Sequence, residues 1–267
     1  MASFSVVTNI ASVNAQANLY QTSQGLNTTL QQLSSGLRIN YAGNDAAGLG
    51  VANGYRSDLA TLNQGILNAN DGLSSLQIKD GALSNVSQLL DRLSTLATQA
   101  ASGSTTDSSR TILNNEFQDV LTEINRETSV ASLNTSTGFS VFVSNNGTNG
   151  KIGGTIAAVT TSTLGISTLA ITNQAAATTA VSTIRAAVNT LATSQGKVGD
   201  LENRLNYAIT LAQSQVVNDT AAESRIMDAN MAQASASMTK YNILNQSGIS
   251  ALAQANSSSA AILTLLR

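Results

Sequence analysis

The chain has 267 residues and a net charge of −2, with 10% charged side chains and no His, Cys, Pro or Trp. Ordinary globular domains carry roughly 25% charge. Without His or Cys, zinc sites of the usual kind, imidazole acid–base catalysis, Ser-His-Asp triads and disulfides are excluded, and an acidic balance argues against nucleic acid as a partner. Aromatic residues make up 3% of the chain, a poor source for a thick globular core but compatible with close contact between helices.

Residues 1–37 hold no charged side chain; the first is Arg38. Helix-compatible apolar positions recur here at Ile10, Val13, Ala17, Tyr20, Leu30, Leu33 and Leu37. The stretch lacks the basic n-region and apolar core of a secretory signal, so export, if it occurs, is expected by a route with no cleaved signal. No apolar run reaches the length of a membrane span, and no membrane insertion is expected. Residues 33–50, LSSGLRINYAGNDAAGLG, follow. They are no Walker loop, because no Gly-Lys-Ser/Thr occurs in them, and Gly150-Lys151-Ile152 and Gly196-Lys197-Val198 fail the same test.

A helix is expected over about 45–100. Leu59, Leu62, Ile66, Ala69, Leu73 and Leu76 are spaced 3-4-3-4-3, and the series runs through Asp80, Leu83 and Leu90 to Ala97. That is a heptad seam, roughly 70 Å long at about 1.5 Å per residue. ASGSTTDSS breaks it, and Asp107 is the expected N-cap of a second helix over about 107–128, carrying Leu113, Phe117, Val120 and Ile124. Ser, Thr, Gly and Val dominate about 130–178, where two Asn-Gly pairs lie between strand-like runs. A small β-hairpin is expected, with Phe139 and Phe142 among its anchors. Helical spacing returns over about 180–225 at Val181, Ile184, Val188, Leu191, Val198 and Leu205.

Residues 241–266 are again uncharged, with Ile249, Leu252, Ile262, Leu265 and Leu266 at helix-compatible positions. A solvated helix normally carries charge on its polar face. In a homopolymer a charge meets copies of itself, or is buried at high cost. The two ends therefore read as assembly segments; the alternative is flexible tails. The expected fold is mainly α: a long antiparallel coiled-coil-like rod formed by the N- and C-terminal halves, with a small β-hairpin region in the middle. Carboxylates such as Asp45 with Asp58, or Asp107 with Glu116, gather around no pocket, so no enzyme and no cofactor is expected.

LSSGLRIN (33–40), NDAAGL (44–49), NANDG (68–72) and GAL (81–83), with TNIASVNAQ (8–16), resemble the N-terminal region of bacterial flagellin. ESRIMDANMA (223–232), NILNQSGISALAQAN (242–256) and the final ILTLLR resemble that family's C-terminal region. The resemblance covers about 1–130 and 180–267, with a middle shorter than in larger members. It implies a self-assembling subunit of the flagellar filament, extracellular, serving motility and exported through the hollow filament. It implies a terminal helical pair, 1–44 with 228–267, lining the inner tube, and an outer-tube domain of 45–227. Residues 33–50 become the joint, where Gly43, Gly48 and Gly50 permit turns or close approach and Arg38 meets a carboxylate or carbonyl, or stays solvated. The implied partners are copies of itself, the flagellar cap, junction proteins and an export chaperone. LLDRLSTLATQ (89–99) resembles the family stretch bound by Toll-like receptor 5, with Arg92, Leu96 and Glu116 at matching contact positions; the alternative is that Leu96 packs and Arg92 and Glu116 form an ordinary surface pair. A hook–filament junction protein and a secreted coiled-coil adhesin or translocator are the competing readings of function.

Overall fold

The computed structural model describes the backbone of residues 8–265 and the side chains of residues 8–258. Five helices carry most of the chain: α1 Ile10–Ser35, α2 Ala46–Ala101, α3 Asp107–Val130, α4 Gln174–Met227 and α5 Met231–Leu265. Two antiparallel strands, β1 Thr137–Phe142 and β2 Lys151–Ile156, lie between α3 and α4. The mainly α architecture with a small hairpin is the one expected. The chain divides into two compact units, residues 1–57 with 219–267, and residues 58–218, and both α2 and α4 contribute to each.

In the unit of residues 58–218, α2 buries a strict heptad seam. One row is Leu62, Ala69, Leu76, Leu83, Leu90 and Ala97, as the periodicity indicates. The other row is Gly65, Gly72, Lys79, Val86, Leu93 and Ala100, buried except for the half-buried Lys79. The sequence reading assigned that second row to Leu59, Ile66, Leu73 and Asp80; the first three are half-buried and Asp80 is exposed. On α4, Ala177, Ile184, Leu191, Val198, Leu205 and Ala212 form one buried row, and Ala180, Ala187, Ser194 and Leu201 interleave with it, while Val181 and Val188 flank the seam half-buried. Small residues on the seam let helices and hairpin approach closely, and the larger apolar side chains beside it close the edges.

Thr106, not Asp107, caps α3: its hydroxyl accepts from the Ser109 amide. Asp107 occupies the first turn and accepts from Arg110 at 2.8 Å. The Arg110 guanidinium, 7% exposed, also donates to the Ala100 and Ser102 carbonyls at 2.8 and 3.0 Å. It thereby satisfies the carbonyls that the end of α2 leaves open. Lys79 does the same for the end of α3, donating to Ala131 and Ser132.

The hairpin pairs Thr137 with Ile156 through Phe142 with Lys151. Neither Asn-Gly pair forms a two-residue turn. Residues 143–150 make a longer connection with a 3-10 turn at Gly147–Gly150; Gly147 takes φ +57°, and the Gly150 carbonyl accepts from Val143 and Ser144. Val141, Val143 and Ile156 face the core with Phe139 partly buried, whereas Phe142, one residue out of phase, points outward. Strand structure ends at Ile156. The following segment packs Val159, Leu164, Ile166 and Ile171 inward, with Asn125 bonding Thr161 and Asn114 accepting from the Ile171 amide. α4 then starts at Gln174, earlier than the expected 180, because the Asn173 side chain caps it by accepting from the Ala176 amide.

Candidate functional site

In the unit of residues 1–57 and 219–267, the two terminal helices run antiparallel. Asn9 donates to the Ala255 carbonyl at 2.8 Å and Ser12 to Asn256 at 2.9 Å. At the other end, a Cβ on Gly25 would stand 2.6 Å from the Tyr241 ring, and one on Gly248 would meet Leu19 at 3.0 Å. The α1 face turned inward is Ala15, Leu19, Thr22, Leu26, Thr29 and Leu33; on α5 it is Ala234, Met238, Tyr241, Asn245, Gly248 and Leu252. Of these only Thr29 and Ala234 are fully buried. This seam mixes Ala, Thr, Asn and Gly with Leu19, Leu26, Leu33, Met238, Tyr241 and Leu252, and most of it stays half-buried.

Other large apolar side chains stand outside the seam. Ile10, Val13, Tyr20 and Leu30 on α1, and Ile243, Leu244 and Ile249 on α5, are between 43% and 67% exposed. Leu33, Leu37 and Leu252 are half-buried. The sequence pattern picked out Ile10, Val13, Leu30 and Ile249 as helical apolar positions, and the structure places them on the outer faces of the pair. The side chains of Ile262 and Leu265, and all of Leu266, lie outside the described residues.

The joint of this unit is a clasp between the connection that follows α1 and the α4–α5 break. α1 ends at Gly36, φ +74°, whose amide bonds Gln32. Only glycine adopts this left-handed geometry without strain. Leu37 bridges Asp228, the Arg38 amide donates to the Met227 carbonyl at 2.6 Å, and Ala229 donates to Gly36 at 2.8 Å. The Arg38 guanidinium donates twice to the Ile226 carbonyl, at 3.2 and 2.8 Å, so it finds a carbonyl at the end of α4. Beneath it Ile39, Ala52 and Met227 are buried together, and Arg56 pairs with Glu223 at 2.6 Å.

The glycines named from the sequence divide here. Gly48 is a close approach: a Cβ would lie 2.5 Å from Asp45 Oδ2 and 2.9 Å from Ile39, while its amide donates to Asp45. Gly43 abuts only the Tyr41 ring, and Gly50 has open space around it. None of the three has a positive φ, so the turn depends on Gly36, which the sequence reading passed over.

In the unit of residues 58–218, Arg92 Nε donates to Glu116 at 2.8 Å, joining α2 to α3 on an exposed face. Leu96 is 1% exposed, so it packs the core beneath this pair and offers nothing to a receptor in the folded chain. Beside this core the Glu202 carboxyl is held above the usual range by burial and by facing Asp80, and its Oε1 has no hydrogen-bond partner; burial likewise holds the Lys79 ammonium below its usual range. Among the described residues, no group of His, Cys, Asp and Glu is placed to hold a metal, and no helix is long and apolar enough to cross a membrane.

Comparison with known proteins matches residues 6–142 to the "Bacterial flagellin N-terminal helical region" and residues 181–266 to the "Bacterial flagellin C-terminal helical region". A flagellin of Halalkalibacterium halodurans is 33% identical over 97% of this chain and 98% of its own. Flagellin FlaB1 of Treponema pallidum is 32% identical with the same coverage. A crystal structure of Bacillus cereus flagellin aligns with a TM-score of 0.49 at 25% identity, over 59% of this chain and 94% of that one.

Proposed function

This chain belongs to the bacterial flagellin family, and from that premise we propose that the α1–α5 pair is the element that locks each subunit into the filament's inner wall. Flagellins are structural proteins, not enzymes; they polymerise with themselves into the filament outside the cell. The observation that carries the proposal is the apolar surface left over on the terminal pair. Its seam is only half-buried, seven further large apolar side chains are exposed, and the sequence of α1 carries no charge. Covering a half-exposed Ile or Leu contributes about 1 kcal/mol at ~25 cal/mol per Å², so the seven exposed positions together supply several kcal/mol per subunit. Uncharged Asn, Gln, Ser and Thr between them bond across repeated contacts without the repulsion that like charges would meet.

The inner-wall role covers residues 1–44 and 228–267, and the outer wall falls to 45–227. Ile10, Val13, Leu30, Leu37, Ile249, Ile262, Leu265 and Leu266 belong to the assembly surface, Leu33 and Leu252 to the α1–α5 seam that carries it, with Arg38 and Gly48 at the joint. The flagellar cap, junction proteins and an export chaperone are the accessory partners of this reading. Seeded growth tests it. Purified monomer is added to sheared filament fragments and imaged by electron microscopy, alongside variants Ile10→Ser with Val13→Ser and Ile249→Ser. Wild type lengthens the seeds. Variants that lengthen them equally well remove the exposed apolar face from the mechanism.

The exposed Arg92–Glu116 pair supports recognition of the free subunit by Toll-like receptor 5. A receptor-signalling assay of Arg92→Ala and Glu116→Ala is expected to show a weaker response to both, and an unchanged response refutes this contact.

A further inference from the structure

No ion pair sets how α1 lies against α5. α1 carries no charged side chain and α5 carries one, Lys240. The hydrogen bonds described above stand at the two ends of the pair: the clasp at Gly36 and Arg38, and Asn9 with Ala255 and Ser12 with Asn256. Between those ends the Tyr241 ring lies end-on against the backbone of Gly25. A Cβ there would stand 2.6 Å from the ring's Cζ, 2.7 Å from Cε1 and 3.1 Å from Cε2. Of the two tyrosines on the pair, Tyr20 is 67% exposed and Tyr241 is half-buried. Thr29, one turn on from Gly25, is buried and turns its hydroxyl back onto the Gly25 carbonyl at 2.8 Å, so a small side chain continues the notch. The arrangement recurs with the helices exchanged: Leu19 of α1 lies 3.0 Å from where a Cβ on Gly248 of α5 would stand.

We propose that Tyr241 on Gly25 is the key and notch that fix the spacing and rotation of α1 against α5, and that these two positions together decide whether a subunit presents the surface a filament end accepts. The proposal rests on the inner-wall reading and names the positioning residues inside the subunit on which it depends. Three observations carry it. A glycine lets the partner's ring reach the helix backbone, and any larger residue at position 25 takes the volume that the ring occupies. The ring has no equivalent seat nearby, because Thr22, Leu26 and Thr29 on the same face all bear side chains. Finally, the key sets what faces outward. At about 100° per residue, Ile243 stands about 160° round α5 from Tyr241, and Tyr20 and Leu30 stand about 140° round α1 from Gly25. With Tyr241 and Gly25 turned together, those three are left 58%, 67% and 45% exposed, on the faces assigned to assembly.

Seed elongation is measured for Gly25→Leu, Tyr241→Ala and the two together. Gly25→Leu fills the notch and expels the ring, and should slow elongation about tenfold. Tyr241→Ala leaves the notch empty and should slow it about threefold. The double variant exchanges large and small across the contact and should return to within about threefold of wild type, a coupling that residues in contact show and distant ones do not. The chain has no cysteine, so a second measurement follows closure of the pair in the monomer. Ser12→Cys with Asn256→Cys, whose native side chains are 2.9 Å apart, should form a disulfide readily. Adding Gly25→Leu should slow that bond about tenfold, and adding both changes should restore it. Losses that merely add in the double variant overturn the key and notch, as does a Gly25→Leu chain that elongates seeds and crosslinks like wild type. Where elongation is abolished in all three variants, the crosslinking rates decide. Wild type that fails to lengthen seeds overturns the filament reading instead, and normal growth by Ile10→Ser with Val13→Ser overturns the inner-wall reading; both outcomes are distinct from a misassigned key.

Discussion

A Cβ placed on Gly65 would lie 1.8 Å from the Val143 carbonyl oxygen and 2.4 Å from its carbon. Non-bonded carbon–oxygen contacts sit near 3.3–3.6 Å even when attractive, so Gly65→Ala forces the hairpin and α2 apart by about 1.5 Å. Backbone atoms cannot rotate away as a flexible side chain would. Overpacking of this kind costs about 1–3 kcal/mol, and lifting Val141 and Val143 off the seam adds to it. Against this, Ala in place of Gly in a helix interior gains about 1 kcal/mol. The net expectation is a loss of about 1–2 kcal/mol, a fall in Tm of about 2–8 °C for a unit of this size. Gly81→Ala is the matched control, because it lies in the same helix with nothing within 4 Å of the added Cβ. It keeps the propensity gain alone and should raise Tm by about 2–4 °C. Thermal unfolding followed by circular dichroism reads both. If Gly65→Ala melts at or above the wild-type temperature, the hairpin is not seated on α2 through this glycine.

Arg110→Ala removes three donors from the α2–α3 turn and leaves the Ala100 and Ser102 carbonyls open; it should cost about 2–4 kcal/mol in a denaturant titration, and Arg110→Lys should recover only part of that, since one ammonium cannot hold all three acceptors. Glu202 is held above the usual carboxylate range by burial first and Asp80 second. Its contribution to stability is therefore full at acid pH, below the unfolded pKa, and lost as pH rises through the raised folded pKa. Glu202→Gln should stabilise at pH 7 and lose that advantage toward pH 4, and equal melting temperatures at pH 7 would contradict the assignment. Arg38→Gln loses the bonds to Ile226 on an exposed surface, worth about 1 kcal/mol; limited proteolysis should cut residues 36–45 faster while the main unfolding transition scarcely moves.

Much of this was legible in the residues, and what was missed has a common cause. Apolar periodicity marks where large side chains recur, so the row Leu62 to Ala97 was plain. The interleaved row begins with Gly65 and Gly72, which score as nothing in such a pattern, and Leu59, Ile66 and Leu73 drew the assignment instead. The same bias acted on α1. Its contact face alternates Ala15, Thr22 and Thr29 with Leu19, Leu26 and Leu33 and reads as half polar, while Ile10, Val13 and Leu30 look like a core and stand exposed. Contact through small residues is chosen by backbone approach, and hydropathy does not register it. In the hairpin, Asn-Gly correctly signalled a reversal, but strand parity set the faces, and Phe142 fell on the outer one. Helix boundaries moved by the position of a single capping side chain, Thr106 for Asp107 and Asn173 for a start at 180. The joint was foreseen as a place. Which glycine turns the chain was not, because a positive φ at Gly36 leaves no mark that Gly43, Gly48 and Gly50 lack.

The clasp at Gly36–Ile39 and Ile226–Ala229 also sets an order of events. Asn9 and Ala255 are 246 residues apart in the chain, and closing so long a loop directly costs about 5 kcal/mol in chain entropy. A contact as thin as the α1–α5 seam cannot meet that cost first. With Arg38 already held on Ile226, each further turn of α1 against α5 closes only a short additional length. The pair is thus built to zip outward from the clasp, late and reversibly, with Asn9 and Ala255 meeting last. A chain that folds in this sequence keeps its two sticky ends apart until the rest of it is finished.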